Sequence, residues 1–422
     1  MCVGHQPSAG DIRKERTVIS TPLIFHIDVN SAYLSWEAVD RLKKGNSPDL
    51  RTIPAIVGGD QDKRHGVVLA KSGIAKKYGV KTGEPIVHAL KKCPNLTIIP
   101  TNFELYHRNS QAFMEILRRY APVVEQYSID EAFADMSGTE KLYGSPTRAA
   151  ELIRDTINRE LAFTINVGIS TNKLLAKMAS DFEKPNKIHT LFPEEIPFKM
   201  WPLDVGELFF VGDAAKKKLN ELGIYTIGDL ANGDLNMIRM HLKKQGEVIY
   251  NYANGIDISD VLHKEPANKG YGNSITLAHD VTDADEAKAV LLSLCETVGA
   301  RLRADGMKAN CVSVQITYNN FVNRSHQCTL SASTNVTTEI YDLALQLFDQ
   351  LWDRRTPIRL LGVSTSRVSS ESYRQYNLFD TEKYEKLEKL DTAVDKIRKK
   401  YGEDAIKRAR FLEDKKEEKE SG

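Results

Sequence analysis

Three carboxylates at the ends of predicted strands are the residues best suited to chemistry. Asp130 and Glu131 lie between two short apolar segments whose residues alternate as they do in strands. Asp28 follows another apolar segment, residues 23–27, about a hundred residues earlier in the chain. If these strands pair in one sheet, the three side chains converge at its edge. For a single Asp at such a position, a turn or a helix cap is the competing interpretation.

Carboxylates that crowd together repel one another, and a pair of divalent cations is the usual remedy. Hard oxygen ligands, with no Cys or His expected beside them, favour Mg²⁺, which holds a few carboxylates and completes its shell with phosphates and water. Mn²⁺ is the alternative ion. The chemistry predicted for such a site is phosphoryl transfer assisted by two metal ions.

The composition is that of a multidomain globular chain. Its 422 residues are too many for one core, and 41% of them are hydrophobic and 27% charged. The formal net charge is +1, so any positive surface must be local. The five cysteines form no CxxC pair, and no apolar run approaches the roughly 18 residues of a membrane span. We therefore expect a cytoplasmic protein without a zinc site, a disulfide framework or a membrane contact.

The N-terminal half alternates between helical and strand patterns. A helix is predicted from Ser31, which is available to cap it, to Val39, directly after the first carboxylate. Further helices are predicted over 102–120 and 146–161, and short strands with basic helices over 54–94. This order of elements favours an antiparallel or mixed sheet backed by helices.

Short helices joined by glycine-containing turns follow at residues 209–230. Gly212 precedes a helix with lysines on its first turns, and there backbone N–H groups and the helix N-terminus can hold a phosphate. The lysines are Lys216, Lys217 and Lys218. A solvated lysine face is their competing interpretation.

The C-terminal part predicts a small separate domain. Strand, helix, strand, strand, helix and strand patterns occur at 274–278, 285–304, 311–318, 325–332, 337–352 and 359–368. This is the split β-α-β-β-α-β arrangement, a four-stranded sheet with two helices on one face. A charged tail follows, in which five apolar residues are spaced as one helical stripe: Leu387, Leu390, Val394, Ile397 and Tyr401.

Four motifs resemble those of the Y-family of DNA polymerases, nearest its bacterial members. They are IDVNSAY at 27–33, SIDEA at 128–132, VGISTNK at 167–173 and KPN at 184–186. The resemblance extends over about residues 22 to 380. It implies an α+β, right-hand polymerase fold with a palm at 22–35 and 95–195, small fingers at 36–94, a helical thumb containing the helix-hairpin-helix at 196–257, a linker at 258–270 and a β-α-β-β-α-β little finger at 271–370. The remaining segments would be a polar N-terminal extension at 1–21, a clamp-binding motif at 371–380 and a charged helical tail at 381–422.

The resemblance implies roles for the acidic residues and for one tyrosine. Asp28, Asp130 and Glu131 would be the catalytic carboxylates, and together with the backbone carbonyl of Val29 they would hold two Mg²⁺ ions. Tyr33 would be the steric gate, whose ring excludes a ribose 2′-hydroxyl.

The resemblance also implies contacts with nucleotide, DNA and a protein partner. Lys184 and Lys76 would bind the incoming triphosphate. Gly73 stands where many relatives have tyrosine, and Lys76 stands where they have arginine. At residue 76 the point charge of an ammonium therefore replaces the planar guanidinium. The residues that would bind DNA are Gly212, Lys216 and Lys217. The residues that would bind the bacterial sliding clamp, the β subunit, are Gln375, Leu378 and Phe379.

The implied function is low-fidelity, template-directed translesion synthesis, in which a monomer adds dNTPs to the 3′-hydroxyl of a primer–template. Two alternatives remain open. Gly73 suggests a catalytically weakened scaffold that binds DNA and the clamp. A palm-fold nuclease or nucleotidyl cyclase would share the acidic cluster, but a cyclase would need neither the thumb hairpin nor the C-terminal domain.

Overall fold

The chain forms two compact units. The computed structural model describes residues 21–59, 66–264, 266–370 and 381–409. The first unit comprises residues up to 57, 68–84 and 88–265, and the second comprises 58–67, 85–87 and 266 onward. Within these described ranges, no helix is long and apolar enough to cross a membrane.

A five-stranded mixed sheet forms the centre of the first unit. The elements through its last strand are β1 (Ile24–Val29), α1 (Ala32–Lys43), β2 (Ala55–Gly58), β3 (Val68–Lys71), α2 (Gly73–Lys77), α3 (Ile86–Lys92), β4 (Thr97–Pro100), α4 (Phe103–Tyr120), β5 (Val123–Gln126), β6 (Glu131–Asp135), α5 (Glu140–Tyr143), α6 (Pro146–Leu161), β7 (Ile165–Ser170), α7 (Lys173–Asp181) and β8 (Ile188–Thr190). The strand order is β5-β6-β1-β7-β8. Strands β7 and β8 pair in parallel and the other neighbours are antiparallel, which confirms the predicted mixed sheet.

The middle of this sheet is covered on both faces. Every residue of β1 and β7 is buried, whereas β5 at the edge is half-buried. Gly168 in β7 lets α7 lie directly on the sheet, because a Cβ at this position would collide with the carbonyl oxygen of Ala176. The close approach of α7 brings its lysines to the end of β6.

The rest of the first unit consists of three short helices, one long helix and a small sheet. The helices are α8 (Ile196–Lys199), α9 (Asp213–Glu221), α10 (Ile227–Ala231) and α11 (Leu235–Ala253). The small sheet has the strand order β3-β2-β4. Its strands have four residues each, so the sheet offers little surface with which to enclose a ligand.

The second unit confirms the predicted β-α-β-β-α-β order and the α+β class. Its elements are β9 (Gly270–Val281), α12 (Ala284–Ala304), β10 (Lys308–Tyr318), β11 (Asn323–Thr334), α13 (Thr337–Leu351), β12 (Ile358–Ser369) and α14 (Thr381–Tyr401). The four strands form an antiparallel sheet in the order β11-β10-β12-β9. Apolar residues of the sheet and of both α12 and α13 form its core.

Residues 381–401 of the predicted tail form the helix α14, and its apolar stripe is only partly covered, with Leu387 and Val394 half-buried. Leu390 is 54% exposed and Tyr401 66% exposed, whereas Asp391 is only 5% exposed. The cause lies at the N-terminus of α13, where the capping position is Val336 and no side chain caps the helix locally. The Asp391 carboxylate instead accepts a hydrogen bond from the Thr337 backbone N–H at 2.7 Å, so α14 supplies the missing cap.

Replacing Arg303 with methionine is expected to loosen α14. The buried guanidinium donates to Asp391 at 3.2 Å and to Asp395 at 2.6 Å, and removing it leaves the buried Asp391 carboxylate with only the more distant Arg408, at 3.9 Å. Amide hydrogen exchange in α14 should accelerate by at least about tenfold. Lys389→Met is the control, because Lys389 is exposed and pairs only at 3.5 Å with Glu385. Unchanged protection of α14 in Arg303→Met would contradict the prediction.

Candidate active site

The structure brings the three predicted carboxylates to one end of the central strands. Asp28 on β1 lies directly opposite Glu131 on β6 in the antiparallel pair, and such partners have Cα atoms about 4.5–5.5 Å apart. Asp130 precedes β6, and its carbonyl oxygen accepts a hydrogen bond from the Val29 backbone N–H at 3.0 Å. Strand pairing therefore accounts for the convergence of residues that are distant in sequence.

Each carboxylate of this trio has its own partner in the protein. Lys184 forms an ion pair with Asp28, and the Lys177 ammonium lies 3.0 Å from Glu131 Oε1. The Ser128 hydroxyl donates to Asp130 Oδ1 at 2.7 Å. Across the residues that the structure describes, no three Asp, Glu, His or Cys side chains are grouped closely enough to hold a metal ion. Lysine ammonium groups thus balance the charges of Asp28 and Glu131.

Burial sets the protonation of the central pair. It raises the pKa of Asp28 to about 6, while the neighbouring Lys184 ammonium opposes the rise. Burial alone would lower the pKa of Lys184, but the Asp28 and Asp181 carboxylates outweigh it and raise that pKa. Lys184 therefore remains a cation, held between Asp28 and Asp181, which lies 2.8 Å from its ammonium.

A histidine stands behind the trio, contrary to the expectation that no His lies nearby. His26 Nε2 is 3.9 Å from Glu131 Oε2, and Nδ1 is 2.7 Å from the Ser180 hydroxyl. That hydroxyl donates its proton to the Lys177 carbonyl, so the histidine proton resides on Nδ1. Burial holds the pKa of His26 well below its usual range, which keeps the ring neutral. The signal was available, since residues i and i+2 of a strand share a face and His26 precedes Asp28 by two.

A pocket of about 820 Å³ opens beside the trio. Its lining includes most of the residues predicted to bind metal or nucleotide: Asp28, Val29, Tyr33, Lys76, Asp130 and Lys184. Lys71 also lines the pocket and was not assigned to it from the sequence. At Gly73 an added Cβ would meet no atom within 4 Å. The wall is therefore open at the position that the resemblance aligns with a tyrosine.

Tyr33 lies on the first turn of α1 with its ring held by a second tyrosine. The rings of Tyr33 and Tyr106 stack with centroids 4.6 Å apart, and the Tyr106 hydroxyl donates to the buried Glu37 carboxylate at 2.9 Å. Ser31 does not cap the helix as expected, because it adopts a left-handed conformation with φ of 47° and its side chain makes no capping bond. That turn directs α1 away from β1 at the pocket wall.

The predicted phosphate-binding turn is formed by Phe210 and Gly212. Gly212 occupies the N-cap position of α9, and Phe210 adopts φ of 78°, a conformation that glycine adopts more easily. Lys216 and Lys217 line a shallow pocket at the start of α9. Lys216 also forms an ion pair with Asp204 at 2.8 Å, so its charge is already partly balanced. The predicted clamp-binding residues lie outside the described residues: Gln375, Leu378 and Phe379.

Comparison with known proteins covers nearly the whole chain. Residues 27–181 match the impB/mucB/samB family, and residues 268–378 match the impB/mucB/samB family C-terminal domain. DNA polymerase IV of Clostridium acetobutylicum is 48% identical over 398 residues, which span 94% of this chain and 99% of that protein. DNA polymerase IV 2 of Bacillus subtilis is 39% identical, over 92% of this chain and 94% of that protein.

A solved structure agrees with these sequence matches at the level of the fold. A chimeric Y-family DNA polymerase superposes with a TM-score of 0.69 at 24% identity, covering 82% of this chain and 99% of that one. The similarity predicted from the four motifs is therefore confirmed. By sequence over most of its length, this chain belongs to the Y-family of DNA polymerases.

Proposed function

We propose that the protein is a template-directed DNA polymerase that copies past damaged bases with low fidelity. The observation that carries the proposal is the acidic trio at one strand edge, opening onto a pocket lined by lysines and by Tyr33. The matches to DNA polymerase IV proteins over more than nine-tenths of the chain support the same reaction. The substrates would be a primer–template and dNTPs.

The residues present suit a pair of Mg²⁺ ions, with Mn²⁺ as the alternative. Asp28, Asp130 and Glu131 offer hard oxygen ligands at one strand edge. In this structure their side chains are turned to Lys184, Ser128 and Lys177, so a bound ion would have to take them from these partners. With the Val29 carbonyl, these side chains would hold the ions. When bound, the ions would lower the pKa of the primer 3′-hydroxyl and neutralise the leaving pyrophosphate.

The chain's own lysines have a separate task. Lys184, Lys71 and Lys76 line the pocket beside the trio and supply positive charge for a triphosphate. Tyr33 forms part of the same wall, where its ring would lie under the sugar. In this arrangement the pocket binds and orients the nucleotide, while the carboxylates face the reacting phosphate.

The open wall of the pocket supports synthesis past lesions. Gly73 leaves space, and the small sheet β3-β2-β4 consists of strands of four residues. A loosely enclosed base pair is selected less by shape, so wrong pairs are rejected poorly and damaged template bases can enter. Low fidelity and lesion bypass thus have one physical cause.

The proposal includes the remaining domains and partners. Residues 22–35 and 95–195 would form the palm, 36–94 the fingers, 196–257 the thumb and 271–370 the little finger. The turn at Gly212, with Lys216 and Lys217, would hold the DNA backbone. The segment 371–380 would bind the sliding clamp, and the protein would act as a monomer in the cytoplasm.

Primer extension on an undamaged template and on one with an abasic site tests the proposal. Elongation of the primer in Mg²⁺ on both templates is the expected result. Shortening of the primer would indicate a nuclease instead. Binding of primer–template without any change in primer length would indicate a scaffold, the alternative that Gly73 suggests.

Binding of divalent cations is expected to weaken as the pH falls below about 6. Above that pH the Asp28 carboxyl is ionised and can accept a cation, and below it the carboxyl is protonated and a poor ligand. The apparent affinity for Mn²⁺, followed by electron paramagnetic resonance without DNA, should fall about tenfold per pH unit. Lys184→Met should move the onset to higher pH, because Lys184 lowers the pKa of Asp28. An affinity that is constant from about pH 5 to 7 would contradict this assignment.

A further inference from the structure

A second pocket is lined by Lys177, the partner of Glu131. It has a volume of about 210 Å³, and its lining combines aromatic rings with two lysines: Tyr127, Phe133, Phe209, Tyr252, Lys173 and Lys177. Lys177 pairs with Glu131 at 3.0 Å, so a lining residue of this pocket is in contact with the trio. The pocket shares no lining residue with the one that the proposed function uses.

The two lysines of this pocket differ in how well their charges are balanced. Lys173 lies 2.7 and 2.8 Å from the two oxygens of Glu125. Lys177 is 9% exposed and, among the described residues, pairs with a single carboxylate, that of Glu131. The rings of Tyr127 and Phe209 lie 5.4 and 5.5 Å from its ammonium, a distance suited to cation–π contact.

The acidic residue nearest to this pocket cannot replace Glu131 as a partner. Asp257 lines the pocket, but its carboxylate accepts hydrogen bonds from the Leu174 backbone N–H at 3.1 Å and from Ser259. If a divalent cation takes the Glu131 carboxylate, as the proposed function requires, Lys177 becomes a buried cation without an anion. Such a charge is costly, so an anion from outside the protein must replace Glu131.

The walls of the pocket indicate the kind of anion. Phe210 is 58% exposed at its edge and adopts φ of 78°, so an aromatic ring is held in the open at the turn before α9. Exposed rings beside a cation suit a nucleotide, whose base or sugar packs on the rings while its phosphate meets the charge. The reacting end of a primer must lie against the trio, and its last phosphodiester is the anion nearest to its 3′-hydroxyl.

We infer that Lys177 is a positioning residue that exchanges Glu131 for the last phosphodiester of the primer strand. In the free protein it balances Glu131. In the complex with DNA and divalent cations it holds the primer end against the acidic trio, in the aromatic pocket. The inference rests on the proposed function, which places the primer end against the acidic trio.

Binding to modified DNA tests the inference without measuring catalysis. The full chain is titrated by fluorescence anisotropy with a dideoxy-terminated primer–template in Mg²⁺, whose last primer linkage is either a phosphodiester or a neutral methylphosphonate. For the wild type, the neutral linkage should weaken binding about tenfold. For Lys177→Met, the same change should have an effect below about twofold, because the contact is already lost.

Two further comparisons identify partner exchange. EDTA removes the divalent cations, so Lys177 should stay paired with Glu131. The affinity of the wild type should then depend little on whether the last linkage is charged or neutral. A neutral linkage placed four nucleotides further from the primer end should weaken wild type and Lys177→Met equally. Lys199→Met is the matched control, because Lys199 pairs with Glu195 at 2.5 Å and should keep the full effect of the last linkage.

Equal sensitivity of wild type and Lys177→Met to the last linkage would overturn the inference. If Lys177→Met does not fold, Lys177→Gln replaces it, since glutamine can still donate to Glu131 without carrying a charge. Primer extension by the wild type on the same DNA with a 3′-hydroxyl is measured separately. Absence of extension would overturn the proposed function, whereas extension combined with equal sensitivity would overturn only the role of Lys177.

Discussion

Replacing Asp130 with asparagine is expected to reduce primer extension by about 1000-fold or more, because in the proposed reaction it removes a charge that would face the reacting phosphate. The asparagine amide keeps an oxygen that can accept the hydrogen bond that Ser128 donates to Asp130 at 2.7 Å. The turn before β6 should therefore persist. Single-turnover insertion rates at saturating dNTP give the comparison with wild type.

The control for Asp130→Asn is Asp155→Asn. Asp155 is an exposed residue of α6 that pairs with Arg154 at 3.0 Å, and losing its charge should leave extension within about twofold of wild type. Thermal unfolding of both variants excludes a loss of fold. An Asp130→Asn protein that extends primers at more than about one-tenth of the wild-type rate would remove Asp130 from the reaction.

Replacing Tyr33 with alanine is expected to raise ribonucleotide insertion relative to deoxynucleotide insertion by about a hundredfold or more. The ring lies on the wall of the pocket and is braced by Tyr106, which stacks on it at 4.6 Å. Without the ring, no side chain at this position meets the ribose 2′-hydroxyl. Insertion of matched rNTP and dNTP pairs, each as kcat/KM, gives the selectivity.

Tyr33→Phe separates the ring from its hydroxyl. It keeps the stacking on Tyr106 and should retain wild-type selectivity. If Tyr33 served only to pack between sheet and helix, Tyr33→Ala would lower the unfolding temperature with sugar selectivity unchanged. That combination of results would reject the steric gate.

Residue order and strand periodicity were enough to predict the sheet and its acidic edge. Asp28 and Glu131 are distant in sequence, but each lies at the end of an apolar segment of strand type, and pairing of these segments brings the two together. The second unit was predictable for the same reason. Its six elements have clear patterns, and the order β-α-β-β-α-β permits few ways of forming one sheet.

Partners that depend on packing could not be predicted. Lys177 reaches Glu131 because Gly168 allows α7 to lie close to the sheet, and no local pattern reports that distance. The most buried described residue of α14 is Asp391, which caps the N-terminus of α13, and the apolar spacing of α14 does not reveal that contact. Such contacts arise from the needs of a neighbouring element, and periodicity within one helix cannot reveal them.

The docking of α14 has a consequence for the segment proposed to bind the clamp. Strand β12 ends at Ser369 and α14 begins at Thr381, and both elements belong to the second unit. Any partner of residues 371–380 would therefore bind a segment that continues at both of its ends into elements of the second unit. The binding site on such a partner must therefore be a groove that is open at both ends, because a closed pocket could accept only a free chain terminus.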